Sequence, residues 1–108
     1  MMNKNEQLEK INKQIELDNI LYSINEEEKT VAVIGYKKEL DNFFVPRFIV
    51  YESNEYIVKS INQEAFKESS LKSIKFASDS MLQTIGDYAF NQAQIETITF
   101  PTSLEYIG

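Results

Sequence analysis

The chain has 108 residues, a net charge of −6, and neither cysteine nor histidine. Without thiols or imidazoles it can form no disulfide, cannot hold zinc or copper through those ligands, and lacks the imidazole base of the usual nucleophilic triads. Its eleven basic residues are scattered rather than grouped in a stripe that could follow a phosphate backbone, so we expect no nucleic-acid partner.

The chain also lacks the signals that direct proteins into or across membranes. No apolar run approaches the ~20 residues of a membrane span. The first twenty residues are rich in charges of both signs and do not resemble a secretory signal. We therefore expect no membrane span and, by default, a cytoplasmic location.

The first predicted element is a polar helix over residues 3–18. Leu8, Ile11 and Ile15 recur at spacings of three and four, the pattern of one helical face. We expect this helix, as a segment covering residues 1–18, to lie over the end of a single domain formed by residues 19–108. A coiled-coil dimer helix and a frayed tail remain as alternatives, because an isolated helix of this length is only marginally stable.

Two hairpins are predicted next. Apolar residues alternate on both sides of a polar turn at residues 25–29, which indicates a hairpin near residues 20–36. A second hairpin is predicted to join residues 48–51 to residues 56–59. The first hairpin should cover a following strand near residues 40–45, because an uncovered strand edge invites pairing with other chains. The three glutamates of the first turn lack the ligand spacing of a calcium loop, so we expect a solvated turn and no metal site.

A repeat with a displacement of 24 residues occupies the second half of the chain. Six apolar residues of one copy match six of the next: Ile61, Ala65, Phe66, Leu71, Ile74 and Phe76 recur as Ile85, Ala89, Phe90, Ile95, Ile98 and Phe100. Such a period indicates a solenoid, in which each unit covers the apolar face of its neighbour. A partial copy begins at Leu104, so the sequence is expected to end inside a repeat.

The repeat predicts three parallel strands near residues 40–45, 71–76 and 95–100, side by side in that order. The residues expected to point inward are Leu40, Phe43, Val45, Leu71, Ile74, Phe76, Ile95, Ile98 and Phe100. The two Ala-Phe pairs are expected in one-turn helices with neighbouring buried rings. Gly86 and Asn62, which occupy equivalent positions, are expected to adopt positive φ, because glycine and asparagine tolerate it best.

These strings resemble a known family. The segments SINQEAFKESSLKSIKF and TIGDYAFNQAQIETITFPTSLEYIG are similar to the BspA-like leucine-rich repeats, with their Ile-Gly-x-x-Ala-Phe element. The resemblance implies an α/β leucine-rich-repeat solenoid of short parallel strands and one-turn helices, with an N-terminal helix and a β-hairpin cap. It also implies a surface or secreted protein associated with adhesion, and hence a protein-interaction module rather than an enzyme, with no cofactor.

Outward positions on the predicted strands form the candidate binding site. They make two rows across the concave sheet face: Asn42, Ser73 and Thr97, and then Phe44, Lys75 and Thr99. Phe44 is the candidate anchor, because aromatic side chains are enriched at interface hot spots. The alternative for Phe44 is that the inserted second hairpin covers it. The partner would be a protein of unknown identity.

A second function is left open by the same pattern. The chain could instead be a structural N-terminal cap of a longer repeat array, with no binding role of its own. The C-terminal end of the solenoid has no predicted cover, so we expect it to contact another copy of the chain or to be the product of truncation.

Overall fold

The structure, a computed structural model, describes residues 13–108. These residues form nine β-strands: Lys13–Leu17 (β1), Ile20–Asn25 (β2), Thr30–Tyr36 (β3), Asn42–Val45 (β4), Phe48–Tyr51 (β5), Asn54–Ile61 (β6), Ser73–Phe76 (β7), Thr84–Ile85 (β8) and Tyr106–Ile107 (β9). Seven of them make one sheet in the order β1-β2-β3-β6-β8-β9, with β5 also paired to β6. The other two, β4 and β7, make a second sheet.

The segment before the first predicted hairpin is a strand where it is described. The helix predicted over residues 3–18 is wrong for Lys13–Leu17, which form β1 and pair antiparallel with β2; residues 3–12 lie outside the described part. Ile15 is buried between exposed neighbours, which is the alternation of a strand. The spacing of four residues between Ile11 and Ile15 in the sequence is compatible with a strand as well as with a helix. Asp18 and Asn19, with φ of 49° and 73°, make the tight turn that joins β1 to β2.

The hairpin predicted near residues 20–36 is confirmed as β2 and β3, but it covers a different edge from the one expected. β3 pairs in parallel with β6, with Val33 opposite Ile61. The hairpin therefore extends the seven-stranded sheet, whereas β4 pairs with β7 alone among the described strands. The second predicted hairpin is confirmed as β5 and β6, joined by Glu52 and Ser53 with positive φ.

The repeat builds its layers through a parallel ladder, of which β8 and β9 were not predicted as strands. The ends of β3, β6, β8 and β9 stack in that order, and the residues on successive rungs are Val33, Ile61, Ile85 and Ile107. The N–H groups of Asn62, Gly86 and Gly108 donate to the carbonyls of Val33, Ile61 and Ile85 at 2.8, 2.8 and 2.7 Å. Each layer is thus bonded to the one before it.

The strands on the opposite side are confirmed for the first two repeats. β4 and β7 run parallel, with Phe43 opposite Ile74 and both buried. The third strand, expected near residues 95–100, is reduced to a single parallel bridge between Ser73 and Thr97. Phe100 was expected to point inward and is instead 41% exposed. The last layer has no further unit on its outer side within the described residues, which accounts for the weaker order and burial.

The connecting segments are turns, and the one-turn helices expected around the two Ala-Phe pairs are wrong. No helix is present among residues 13–108. Glu64, Glu68, Tyr88 and Gln92 have φ near +60° and recur at the 24-residue displacement, which interrupts any helical run. The N–H groups of Glu64, Phe66 and Glu68 donate to carbonyls of the next layer at 2.7–3.1 Å. Those donors are therefore not free to bond within a helix.

Aromatic rings connect the layers through the core. The ring of Phe66 lies nearly parallel to the rings of Tyr36 and Phe90, with centroids 5.7 and 5.9 Å away, and Phe43 packs on it at 5.5 Å. Phe66 is fully buried, whereas Phe90 is only partly buried. The expectation of neighbouring rings is therefore confirmed, and burial of both is confirmed only for Phe66.

The expectation of positive φ at Gly86 and Asn62 is wrong, since neither residue adopts it. Gly86 is required for a different reason. A Cβ at this position would lie 2.8 Å from Cα of Gln63 and closer still to its backbone nitrogen. Gly108 meets Asp87 in the same way, with 2.6 Å to its Cα. The repeated glycine thus allows the backbones of successive layers to approach closely.

Candidate functional site

The six predicted site residues lie on the exposed side of β4, β7 and the following segment, and we call them the sheet face. Asn42 stands opposite Ser73, which in turn bridges to Thr97. Phe44 stands opposite Lys75. Thr99 lies two residues beyond Thr97 and lines the same groove as Lys75. The structure therefore forms the first row as expected and places Phe44 beside Lys75, while Thr99 shares only the groove with Lys75.

Phe44 is the exposed aromatic residue of this face. Its side chain is 59% exposed, so the inserted hairpin of β5 and β6 does not cover it. Its neighbours Phe43 and Val45 are buried, because successive side chains of a strand point to opposite sides. A large apolar side chain that is exposed to solvent is compatible with a protein-contact site, and so are the hydroxyl groups beside it.

A groove of about 500 Å³ opens between β7 and residues 97–102, and we call it the strand groove. Ser73, Lys75, Thr97 and Thr99 line it, together with Ile74, Phe76, Ile98 and Phe100. It exists because the third repeat segment leaves β7 after the bridge at Thr97. Hydroxyl groups and a single ammonium group thus surround an apolar floor.

A second groove, of about 400 Å³, runs beside the open edge of β4, and we call it the edge groove. Its lining comes from the turn after β1, from β2, from β4 and from β5: Leu17, Asp18, Ile20, Tyr22, Leu40, Asn42, Phe43, Phe44, Pro46, Phe48 and Ile49. Burial, together with the Asp18 carboxylate, raises the pKa of Tyr22 to about 12. Sequence reasoning missed this groove, although the exposed Phe44 and Phe48 beside Pro46 were a local signal for it.

A third groove, of about 490 Å³, lies on the outer side of the last layer, and we call it the end groove. Ile85, Gly86, Ala89, Phe90, Phe100 and Ile107 contribute to its lining. Tyr106 donates a hydrogen bond of 3.2 Å from its hydroxyl to Asp87 of the preceding layer, and that bond raises the pKa of Tyr106. Phe100 and Ile107 are 41% and 49% exposed, so the apolar surface of the last layer faces solvent.

One polar side chain of the described residues, that of Ser69, is buried. Its Oγ accepts the N–H of Leu71 at 3.3 Å, a local contact that stabilises the turn. Among residues 13–108, no group of three or more carboxylate side chains is arranged to hold a metal ion.

The sequence profile of the BspA type leucine rich repeat region matches residues 48–108 in six copies. The chain belongs to this family. The match begins with β5 and includes the ladder strands β6, β8 and β9, so the resemblance seen in the Ile-Gly-x-x-Ala-Phe element is confirmed. Strands β1 to β4 precede the matched region of this BspA-type repeat chain.

Solved structures share the fold. A leucine-rich repeat protein from Bacteroides capillosus superposes with a TM-score of 0.61 at 19% identity, over 88% of this chain and 87% of its own. The pneumococcal vaccine antigen PcpA gives 0.63 at 23% identity, over 92% of this chain and 35% of its own. A leucine rich cell surface protein from Faecalibacterium prausnitzii gives 0.60 at 15% identity, over 87% and 32%.

The chain thus spans about a third of the last two proteins and most of the first. At these identities the likeness concerns the leucine-rich-repeat fold alone. No curated protein sequence matches the BspA-type chain. Within residues 13–108, no helix is long and apolar enough to cross a membrane.

Proposed function

We propose that this BspA-type repeat chain is a non-enzymatic protein-interaction module that binds its partner through the sheet face. The observation that carries the proposal is the exposure of Phe44, which lies beside Lys75 and next to the row that begins with Asn42 and Ser73. An exposed aromatic residue among hydroxyl groups is typical of interface anchors. Its ring is buried when the partner binds, and the surrounding polar groups keep the free protein soluble.

The strand groove supports the same proposal. It brings Lys75 and five hydroxyl groups around a concave opening next to Phe44, so that a partner could place an acidic or polar group there. We extend the proposal to an adhesion-related role, which the family resemblance implied. One structural neighbour, the protein from F. prausnitzii, is described as a cell surface protein. That description concerns the neighbour, and its extension to this chain is part of our proposal.

The test is the paired replacement of Phe44 by serine and Lys75 by glutamate. We expect the double variant to lose most partner capture while its melting temperature stays near that of the parent, because both side chains are exposed. The measurement is quantitative mass spectrometry of proteins retained by the immobilised full chain, from whole cells of its own organism and of candidate hosts. Binding of each retained protein is then repeated with purified material.

Val50→Thr is the matched control, since Val50 is 54% exposed on β5 and lies outside the sheet face. It should retain the partners that the double variant loses. Equal retention by all three proteins would refute the sheet face as the binding surface. Loss of folding in the double variant would instead assign Phe44 to the core.

A second candidate function, a structural cap of a longer array, is favoured by the end groove. The layer of Phe66 is covered by the next one, in which the Gly86 N–H donates to the Ile61 carbonyl and the Phe90 ring stacks on Phe66. The outer side of Phe90 and Ile107 presents the same apolar pattern to solvent. In this role the hairpin of β2 and β3 would close one end of the array, and the end groove would receive the next unit.

The cap role predicts that a further unit stabilises the chain. Appending a second copy of residues 87–108 after Gly108 should raise the free energy of unfolding by about 2 kcal/mol, because burying one Phe or Ile side chain contributes about 1.5–3 kcal/mol. The appended unit presents the same apolar surface on its own outer side, so self-association at high concentration, measured by sedimentation velocity, should persist. The control carries serine in place of the appended Ala-Phe pair and should give no stabilisation. A parent that stays monomeric, with β9 protected from hydrogen exchange, would contradict self-association through this end.

A further inference from the structure

The β4 strand leaves one of its edges unpaired within the described residues. The carbonyls of Asp41 and Val45 accept hydrogen bonds from Ser73 and Ala77 at 3.1 and 2.9 Å, so these groups face β7. Backbone groups of a strand alternate in direction. The N–H and C=O groups of Asn42 and Phe44 therefore point to the opposite edge. Pro46 follows with the same parity, at a place where its missing N–H costs no ladder bond.

The edge groove lies directly along this open edge. Its floor is apolar and nearly closed to water, since Ile20, Tyr22 and Ile49 are 3%, 3% and 6% exposed. Its walls are the exposed rings of Phe44 and Phe48. An extended segment added to β4 would place alternate side chains over this floor, and its backbone would meet the free groups of Asn42 and Phe44.

The charge of the groove limits what such a segment can carry. Asp18 is the charged residue in the lining, and it stands in the exposed turn between β1 and β2. The nearby cation Arg47 is directed away, because its guanidinium donates to the carbonyl of Asp79 at 3.1 Å. Lys37 lies 3.7 Å from Glu16, and the backbone of Lys38 is bonded to the side chain of Asn19. Asp18 is therefore the charged side chain of the lining that a basic side chain of the segment can meet.

We propose that the edge groove binds an extended peptide segment by strand addition to β4, with apolar side chains over the floor and a lysine or arginine against Asp18. This site goes beyond the proposed function of the sheet face. The two sites share Asn42 and Phe44, but Asp18 and Phe48 belong only to the edge groove, whereas Lys75 and Thr97 belong only to the sheet face. The two proposals can therefore fail separately.

The test uses the full chain and the labelled peptide Lys-Val-Thr-Val-Thr-Val-Thr-Lys, acetylated and amidated at its ends. We expect binding by fluorescence anisotropy, with amide hydrogen exchange of Asn42 and Phe44 slowed on addition of the peptide. A peptide ending in glutamate instead of lysine should bind about fivefold more weakly. Asp18→Asn should remove most of that difference, and it should fold, because asparagine tolerates the positive φ of this turn.

Two N-methylated peptides decide between strand addition and simple contact with the groove. Methyl groups on alternate residues block one backbone edge of the peptide, and methyl groups on the other residues block the opposite edge. Strand addition predicts that one peptide loses about tenfold in affinity while the other is unaffected. Equal effects of both methylation patterns, or no binding by the full chain, would overturn the proposal. Peptide binding that is lost in Lys75→Glu but unchanged in Phe48→Ser would also overturn the proposal. A dimer of the chain that pairs through β4 and excludes the peptide would do the same.

Discussion

Replacing Phe66 with alanine is expected to lower the free energy of unfolding by about 3–5 kcal/mol. Phe66 is fully buried and contacts three rings, those of Tyr36, Phe43 and Phe90. Its removal leaves a cavity at the junction of both sheets, where the stacked backbones cannot collapse to fill it. The measurement is urea unfolding followed by far-UV circular dichroism, since the chain has no tryptophan.

Two matched variants show whether burial is the cause. Phe90→Ala should cost less than Phe66→Ala, because Phe90 is only partly buried. Phe44→Ala should leave the free energy of unfolding within about 0.5 kcal/mol of the parent, as is usual for exposed positions. Equal losses from all three substitutions would mean that the ring stack does not organise the core.

Replacing Gly86 with alanine is expected to destabilise the chain by about 3 kcal/mol or more, above the usual range of overpacking. The new Cβ would meet the backbone of Gln63, with 2.8 Å to its Cα and 3.0 Å to the carbonyl carbon of Asn62. Backbone atoms cannot rotate aside, so the two layers would have to separate. The loss of the Gly86 N–H bond to Ile61, now 2.8 Å long, would follow. Thermal unfolding reports the change.

Gly35 provides the control for this substitution. A Cβ there would meet its nearest neighbours, the Ala65 carbonyl and a Leu21 methyl, at 3.8 Å, which is an ordinary contact. Gly35→Ala should therefore be neutral or slightly stabilising. Gly86→Asn shows whether glycine is needed here for close approach of the backbones or for a positive φ. Asparagine tolerates positive φ but carries a Cβ, so it should destabilise the chain as much as alanine does. A stable Gly86→Asn variant would contradict close approach.

The periodic part of the fold could be predicted from the sequence, and the parts that depend on contacts between layers could not. Alternation within Leu-x-x-Ile-x-Phe placed Phe43 and Ile74 inside and Phe44 and Lys75 outside, as the structure has them. The Ala-Phe segments were expected to be helical. In the first of them the N–H groups of Glu64, Phe66 and Glu68 bond to carbonyls of the next layer instead, and a single repeat carries no sign of that competition.

Glycine shows a second limit of sequence reasoning. A repeated glycine indicates either positive φ or close approach of another backbone, and composition does not separate the two. The left-handed positions of the repeat turns belong instead to Glu64, Glu68, Tyr88 and Gln92, residue types that give no special signal. The conformation expected at Gly86 was therefore wrong, although the importance of the residue was identified.

The two rows of the sheet face followed from strand alternation, but the edge groove did not. Asp18 lies in the turn between two strands of one sheet and Phe44 in the other sheet, and they line one groove in a fold where β3 pairs with β6 rather than with β4. Parallel pairing between a hairpin and a later repeat strand leaves no local pattern in the sequence, since its partners are far apart along the chain. The open edge of β4 is a direct result of that pairing.

The ladder of Val33, Ile61, Ile85 and Ile107 has a consequence for the order in which the chain can fold during synthesis. Each rung requires only the rung that precedes it in the sequence, and none waits for a residue near the C-terminus. The emerging polypeptide can therefore add one layer at a time to a template that already exists, starting from the β2–β3 hairpin. Translation at about 5–20 residues per second leaves roughly one to five seconds for each 24-residue layer, ample time for a short turn and a pair of strands to dock.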